Sequence, residues 1–368
     1  MNGRLTVVLD EVGERSPTTV GRYAAALAHA LATTAPSGFD VAAMSAKVSD
    51  GREQRIRELL PGVGELRQTA MPARELRQAW LHSLTTLPVR GLVHSTSLLA
   101  PLVREPEPGD QVTVTVHGLH PLSDRSERKQ RWFDRALRRA LRRADGIVVP
   151  STAVAEDLQL LHDLGDRVRV VHPAPVVAQS LPADRGASST LTLPDEYVLA
   201  MTAPGARGQA EALIETVASS SMPDVRVVVA GPVQWGESTL AAMAVEAGLP
   251  PGRLVMLGDL DATQLAIAHH RALAHLHVSE LDALGLSLLD AAALGTATVH
   301  PANRSLQEIA GDASVPVEGG PHELAAALGR LLADDAERER LAMHAMDRAR
   351  AFTWEAAAQQ VWRLHAEL

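Results

Sequence analysis

The chain has 368 residues, of which 46% are hydrophobic and only 3% aromatic, and its formal net charge is −9. That length suits two domains of ordinary size with cores of Ala, Leu and Val, while the negative balance argues against a dedicated nucleic-acid binder. The absence of cysteine excludes disulfides, thiolate catalysis and Cys-type zinc sites. Met1 to Arg22 shows no basic-then-apolar signal pattern, and no apolar run reaches about 18 residues, so a cytoplasmic protein is expected. Lysine occurs only at Lys47 and Lys129, and the second half has none. With the abundant alanine, this reads as the coding bias of a GC-rich bacterial genome.

The first half alternates strand and helix patterns. Leu5 to Leu9 is a short buried-strand run. Thr18 to Thr33 carries Val20, Tyr23, Leu27 and Leu31 on one helical face after the Ser16-Pro17 start signal. Further strands are predicted at Val41–Met44, Gly91–His94, Val112–His117, Gly146–Val149 and Arg167–His172, with a long Arg-rich helix over Ser126–Arg143. Pro173-Ala174-Pro175 and the Ser/Thr/Pro/Gly-rich stretch Gln179 to Pro194 then mark a linker.

The alternation restarts with a strand at Tyr197–Met201 and a helix at Gln209–Ala218. Val225–Ala230 is a strand ending in Gly231-Pro232, and Leu240–Ala247 a helix. Strands at Leu254–Leu257, Ala272–His277, Thr298–His300 and Val315–Val317 follow. Helices at Pro321–Ala333, Glu337–Arg350 and Trp354–Glu367 close the chain. Such alternation implies parallel sheets covered by helices on both faces.

The most informative stretch is Ser279 to Asp312. It reads as a loop, a glycine turn at Gly285-Leu286, a helix and a short strand, with Asp282 and Asp290 eight positions apart around the turn. A glycine turn opening a helix leaves backbone N–H groups free for phosphate. A helix carboxylate can accept from ribose hydroxyls, and a loop carboxylate can reach a sugar hydroxyl. Together these groups suit a nucleotide-sugar.

The stretch D-A-L-G-L-S-L-L-D-A-A-A-L-G-T-A-T-V resembles the signature of the retaining GT-B glycosyltransferases of the family-4 type, E-G-F-G-L-P-x-L-E-A-M-A-x-G-x-P-V. Gly285, Leu286, Leu289, Ala291, Gly295 and Val299 fit, and both glutamates are aspartates here. TTVGRYAAALAHAL, RRADGIVVPSTAVAEDL and the closing FTWEAAAQQVWRLHAEL extend the resemblance along nearly the whole chain. It implies an α/β GT-B fold of two Rossmann-like doubly wound parallel-sheet domains facing a cleft, with a C-terminal helix crossing back to the first domain. The expected bounds are 1–175 for the acceptor-side domain, 176–196 for the linker, 197–350 for the donor-side domain and 351–368 for the final helix.

The resemblance also implies site residues. Arg207, the cation nearest the family's Arg/Lys pair, and the turn at Gly285 and Leu286 would hold the donor diphosphate. Asp290 would hold the ribose, Asp282 and His117 the sugar, with Glu280 a substitute for Asp282. Gly231 would face the base, and Thr18-Thr19 stand where the family has two glycines, with Thr19 near the phosphate. His120 is an acceptor candidate, and Asn303, Ser305 and Glu308 resemble the loop that follows the family's next strand. No metal and no cofactor beyond the nucleoside diphosphate-sugar are expected; the group His269, His270, His275 and His277 reads as non-metal.

The function implied is retaining transfer of a hexose or deoxyhexose, mannosyl-type as the first expectation, to a glycan or lipid-linked acceptor of the cell envelope, with no nucleic acid involved. Arg125 to Arg143, with Trp132, Phe133 and Leu137 interleaved, reads either as a membrane-surface helix giving peripheral contact or as a solvated helix with salt bridges. Two alternatives stay open, a degenerate GT-B protein serving as partner or scaffold of an active glycosyltransferase and, more weakly, a sugar-nucleotide 2-epimerase.

Overall fold

The computed structural model describes residues 3–84, 90–102, 108–121, 127–182 and 191–368. The chain divides into two compact units, unit 1 with Met1–Pro121, Arg125–Pro173 and Thr353–Leu368, and unit 2 with Leu122–Asp124 and Ala174–Phe352. Arg125, the expected helix start at Ser126 and residues 183–190 of the linker stretch lie outside the described residues.

Unit 1 runs β1 (Gly3–Val8), α1 (Thr19–Thr33), β2 (Phe39–Lys47), α2 (Asp50–Leu59), β3 (Glu65–Pro72), α3 (Ala73–Leu81), β4 (Leu92–Ser95), β5 (Gln111–Thr115), α4 (Glu127–Arg143), β6 (Gly146–Val149), α5 (Thr152–Leu161) and β7 (Val168–Val170). The strands form one sheet in the order β3-β2-β1-β4-β5-β6-β7, and every pairing is parallel. Buried Leu5, Val7, Val93, Val114 and Ile147 make near-continuous apolar strands, as a sheet covered on both faces requires. The sequence pattern missed β3. It is an edge strand of mixed composition, ELRQTAMP, with only Thr69 fully buried.

Helix α1 starts as predicted. The Thr18 side chain accepts the Gly21 N–H at 2.9 Å, capping one otherwise orphaned donor. The final helix, α13 in chain order (Trp354–Glu367), belongs to unit 1. Its Trp362 Nε1 donates to the Leu31 carbonyl of α1 at 3.3 Å, and Trp354 packs edge-on against Tyr23 at 5.6 Å. His365 lies 3.1 Å from the Thr113 hydroxyl, which is also 2.8 Å from His94, so α13 is tied to β4 and β5 through one buried polar chain.

Unit 2 repeats the plan with β8 (Tyr197–Met201), α6 (Arg207–Ala218), β9 (Arg226–Ala230), a hairpin of β10 (Gln234–Trp235) and β11 (Ser238–Thr239), α7 (Leu240–Glu246), β12 (Leu254–Gly258), α8 (Ala262–Arg271), β13 (Ala274–Leu276), α9 (Leu286–Ala293), β14 (Thr298–Pro301), α10 (Arg304–Ala310), β15 (Val315–Val317), α11 (Pro321–Leu332) and α12 (Asp335–Ala349). The main sheet is β12-β9-β8-β13-β14-β15, all parallel. Strand order reverses between β8 and β13. Chain connections leave those two strands in opposite directions, and the carboxyl ends of such a strand pair are where open α/β sheets bind ligands.

Candidate nucleotide-sugar site

The two strands at the reversal point feed the two segments singled out in the sequence. Beyond β8 the chain passes into α6, whose first residue is Arg207; beyond β13 it passes through Ser279–Leu284 into the glycine turn and α9. Gly285 is the residue before α9 and adopts φ +59°, ψ 26°, the left-handed conformation, and no side chain caps the helix. A Cβ at that position would lie 3.0 Å from Ile309 Cδ1 and 3.1 Å from Leu306 Cδ2, so both backbone and packing call for glycine. The uncapped N-terminus presents N–H dipoles suited to an anion.

Asp282 shapes this turn. Its Oδ1 accepts the N–H of Leu284 at 2.9 Å and of Gly285 at 3.1 Å, while its Oδ2 faces His277 Nε2 at 3.7 Å. The loop is held from the other side by Asn303, which donates to the Glu280 carbonyl at 2.8 Å and also caps α10 by accepting from Ser305 and Leu306. Asp282, Gly285, Leu286 and Asn303 are therefore brought together.

Asp290 has a different setting from an open helix carboxylate. The residue is fully buried, and its Oδ1 accepts the N–H of Val176 at 2.6 Å and of Val177 at 2.9 Å. In this arrangement it clasps α9 to the segment that leads into β8. Arg207 is exposed, and its Nε donates to Glu211 at 2.8 Å, one turn along α6. Gly231 follows β9 with φ +111°, and its N–H reaches the Gly258 carbonyl at 2.8 Å; the Thr202 carbonyl lies where a side chain would project.

Four of the unit's histidines lie in the interior. His269, His275 and His300 are fully buried and His277 nearly so. Burial holds His275 well below its ordinary pKa, the neighbouring His269 and His277 adding to the effect, and holds His300 at about 4. Burial also lowers His277, against the opposing pull of Asp282. In sequence His277 is only one of the histidine group His269, His270, His275 and His277. It directly follows β13 and stands beside the turn, a placement that no local pattern announces.

Two family models match the chain in succession, Glycosyltransferase Family 4 over residues 20–174 and a glycosyl transferase-like model over residues 207–363. The chain is a GT-B glycosyltransferase of the family-4, group-1 type. A curated relative, the D-inositol 3-phosphate glycosyltransferase of Nocardioides sp., is 30% identical over 240 residues, 59% of this chain and 52% of that protein. The chain thus spans about half the length of that relative. Among solved structures, sucrose-phosphate synthase from Thermosynechococcus elongatus superposes with TM-score 0.74 at 20% identity, covering 99% of this chain and 98% of the other. Anabaena HepE, in complex with UDP and glucose, superposes with TM-score 0.72 at 14% identity over 100% of both chains. At such identities these likenesses establish the GT-B fold.

In unit 1 of this glycosyltransferase, His117 follows β5 and is half-buried. Its Nε2–H donates to the Thr96 carbonyl at 2.8 Å, and its ring stands edge-on to Tyr23 at 4.8 Å. Thr19 is the first residue of α1, and the neighbouring Thr18 hydroxyl serves as the helix cap described above. Glu11 adopts φ +60° after β1, and burial, then the neighbouring Asp10, raises its carboxyl above the usual range. Asp10 itself is bound by Arg77 at 2.9 Å and by Ser97 at 2.8 Å. His120 is exposed.

Proposed function

We propose that the chain transfers a hexose from a nucleoside diphosphate-sugar to a glycan or lipid-linked acceptor, with retention and without a metal. The observation that carries this reading is the uncapped, glycine-led N-terminus of α9 at the strand-order reversal of unit 2, with the Asp282 carboxylate at its mouth. The N–H groups of such a turn stabilise the charge that develops on a departing diphosphate. Asp282 Oδ2, the oxygen not used on the loop amides, is proposed as the acceptor for a sugar hydroxyl. Arg207 is proposed to swing from Glu211 onto the diphosphate, which its exposure allows. A ribose contact from Asp290 would have to use Oδ2, since Oδ1 is taken by two backbone amides.

The mannosyl-type expectation is carried forward together with a glucosyl one, because the HepE structures were obtained with UDP and glucose and with UDP-glucose. We also propose peripheral contact with an anionic membrane through α4. Arg128, Arg131, Arg135, Arg138 and Arg142 are all exposed, and their spacing of three and four places them in one stripe.

Calorimetric titration with UDP-, GDP- and dTDP-hexoses tests the donor reading. One of them is expected to bind, and Arg207→Ala to weaken it by roughly 10-fold or more, the share of one charge-assisted contact. No binding by any donor or free nucleotide would favour the alternative, a degenerate partner of an active homologue.

A further inference from the structure

The imidazole beneath the α9 turn is a buried polar group that the donor reading leaves unused. His277 directly follows β13 and is 4% exposed. Its Nδ1 lies 3.2 Å from Ser287 Oγ in the first turn of α9. Its Nε2 is buried, makes no hydrogen bond to another side chain among the described residues, and lies 3.7 Å from Asp282 Oδ2, while the Ser279 backbone also bears on the ring. That separation is longer than a hydrogen bond, and the group across it is a carboxylate oxygen. A buried N–H facing an acceptor across such a gap is costly until the gap closes.

We propose that His277 is a positioning residue for glycosyl transfer, acting through Asp282: it ties the end of β13, the Asp282 carboxylate and the first turn of α9 into one arrangement, and its Nε2–Asp282 bond closes when the donor sugar engages that carboxylate. The inference rests on the reading of this turn as the donor site. The chemistry is directional. In the tautomer in which Nδ1 accepts from the Ser287 hydroxyl, the single ring proton of the neutral imidazole sits on Nε2, on the side of Asp282. Burial among His275, 6.2 Å away between ring centroids, and the rest of the core favours that neutral form. Asp282 is a short side chain whose Oδ1 is committed to Leu284 and Gly285, so a donor on its other side is needed to set the direction of Oδ2. With Nε2 on one lone pair of Oδ2, the second remains for a sugar hydroxyl. No sequence motif pointed to this role, since it depends on a strand-end residue and a loop residue five positions apart facing each other.

The test compares His277→Asn, His277→Gln and Ser287→Ala in the full chain. The probes are whichever of the UDP-, GDP- or dTDP-hexoses the wild type binds, and the matching free nucleoside diphosphate. An asparagine amide reaches the Nδ1 position and keeps the Ser287 contact but abandons Asp282; a glutamine amide reaches the Nε2 position. His277→Asn is expected to weaken the nucleotide-sugar by roughly 10- to 100-fold, the range for losing one hydrogen bond to a charged group, while the free diphosphate changes by less than about 3-fold. His277→Gln should restore most of that loss, and Ser287→Ala should give the same selective loss at smaller size. Asparagine and wild-type proteins with equal preference for sugar over free diphosphate would overturn the proposal. So would equal weakening of both ligands, which is the mark of a structural role alone. If the wild type binds no donor at all, the donor-site reading fails first and carries this one with it.

Discussion

Asp290→Ala removes the acceptor that holds the Val176 N–H at 2.6 Å and the Val177 N–H at 2.9 Å. Asp290 is fully buried and Val177 is 3% exposed, so water cannot replace the carboxylate without loosening the packing around α9. The buried Val177 donor left unpaired costs about 1–3 kcal/mol and the part-buried Val176 donor less, which puts the substitution at about 3 kcal/mol in total. For a unit of this size, about 1 kcal/mol moves the melting midpoint by 2–4 °C, so the unit 2 transition should fall by roughly 6–12 °C. Asp290→Asn keeps one carbonyl oxygen of the right shape and forfeits only the charge-assisted part, about 1 kcal/mol. Thermal unfolding of the three proteins, with hydrogen exchange read at Val176 and Val177, makes the comparison. An alanine variant that melts within about 2 °C of wild type, with both amides still protected, would refute the clasp.

Acid should weaken both units through their buried histidines. Burial holds His94 at about 3, with His365 nearby adding to the effect, and holds His365 itself at about 4. The unfolded chain takes up protons at both positions below about 6.5 while the folded chain does not, so stability is full above that pH and declines as pH falls toward 4. Between pH 7.5 and 5.5 unit 1 should lose about 3 kcal/mol, measured as a shift in its urea midpoint, and identical midpoints would contradict the burial of this pair. For the membrane contact, the triple change Arg128→Glu, Arg135→Glu, Arg142→Glu should reduce co-sedimentation with anionic vesicles by roughly 100-fold or more, at about 1 kcal/mol for each basic residue. Equal sedimentation of the variant would leave the stripe as a solvated helix face.

Much of the architecture was legible before any coordinates. Apolar runs such as Tyr197–Met201 and Gly146–Val149 are strands with the expected bounds, because strands covered on both faces need continuous apolar sequence. The helices over Thr19–Thr33 and Trp354–Glu367 begin close to the expected positions, and the caps that fix their first turns, Thr18 and Thr353, each act locally on the N–H three residues on. β3, at a sheet edge, and the β10–β11 hairpin were not visible, because a two-residue strand has no period and an edge strand tolerates polar residues. Gly285 was legible as a turn and its left-handed φ follows.

The amino-acid sequence by itself determined the alternation of strands and helices, the glycine that opens α9, and the spacing of the acids around it, since all three depend on neighbours within a turn or two of chain. What each acid does was decided by tertiary structure. Asp282 and Asp290 look alike in sequence, yet one sits at the mouth of a turn with an oxygen toward His277, and the other is sealed against the amides of Val176 and Val177, more than a hundred residues earlier. A carboxylate's availability depends on which donors the fold brings to it, and those donors come from strand ends and crossing segments that no local pattern specifies.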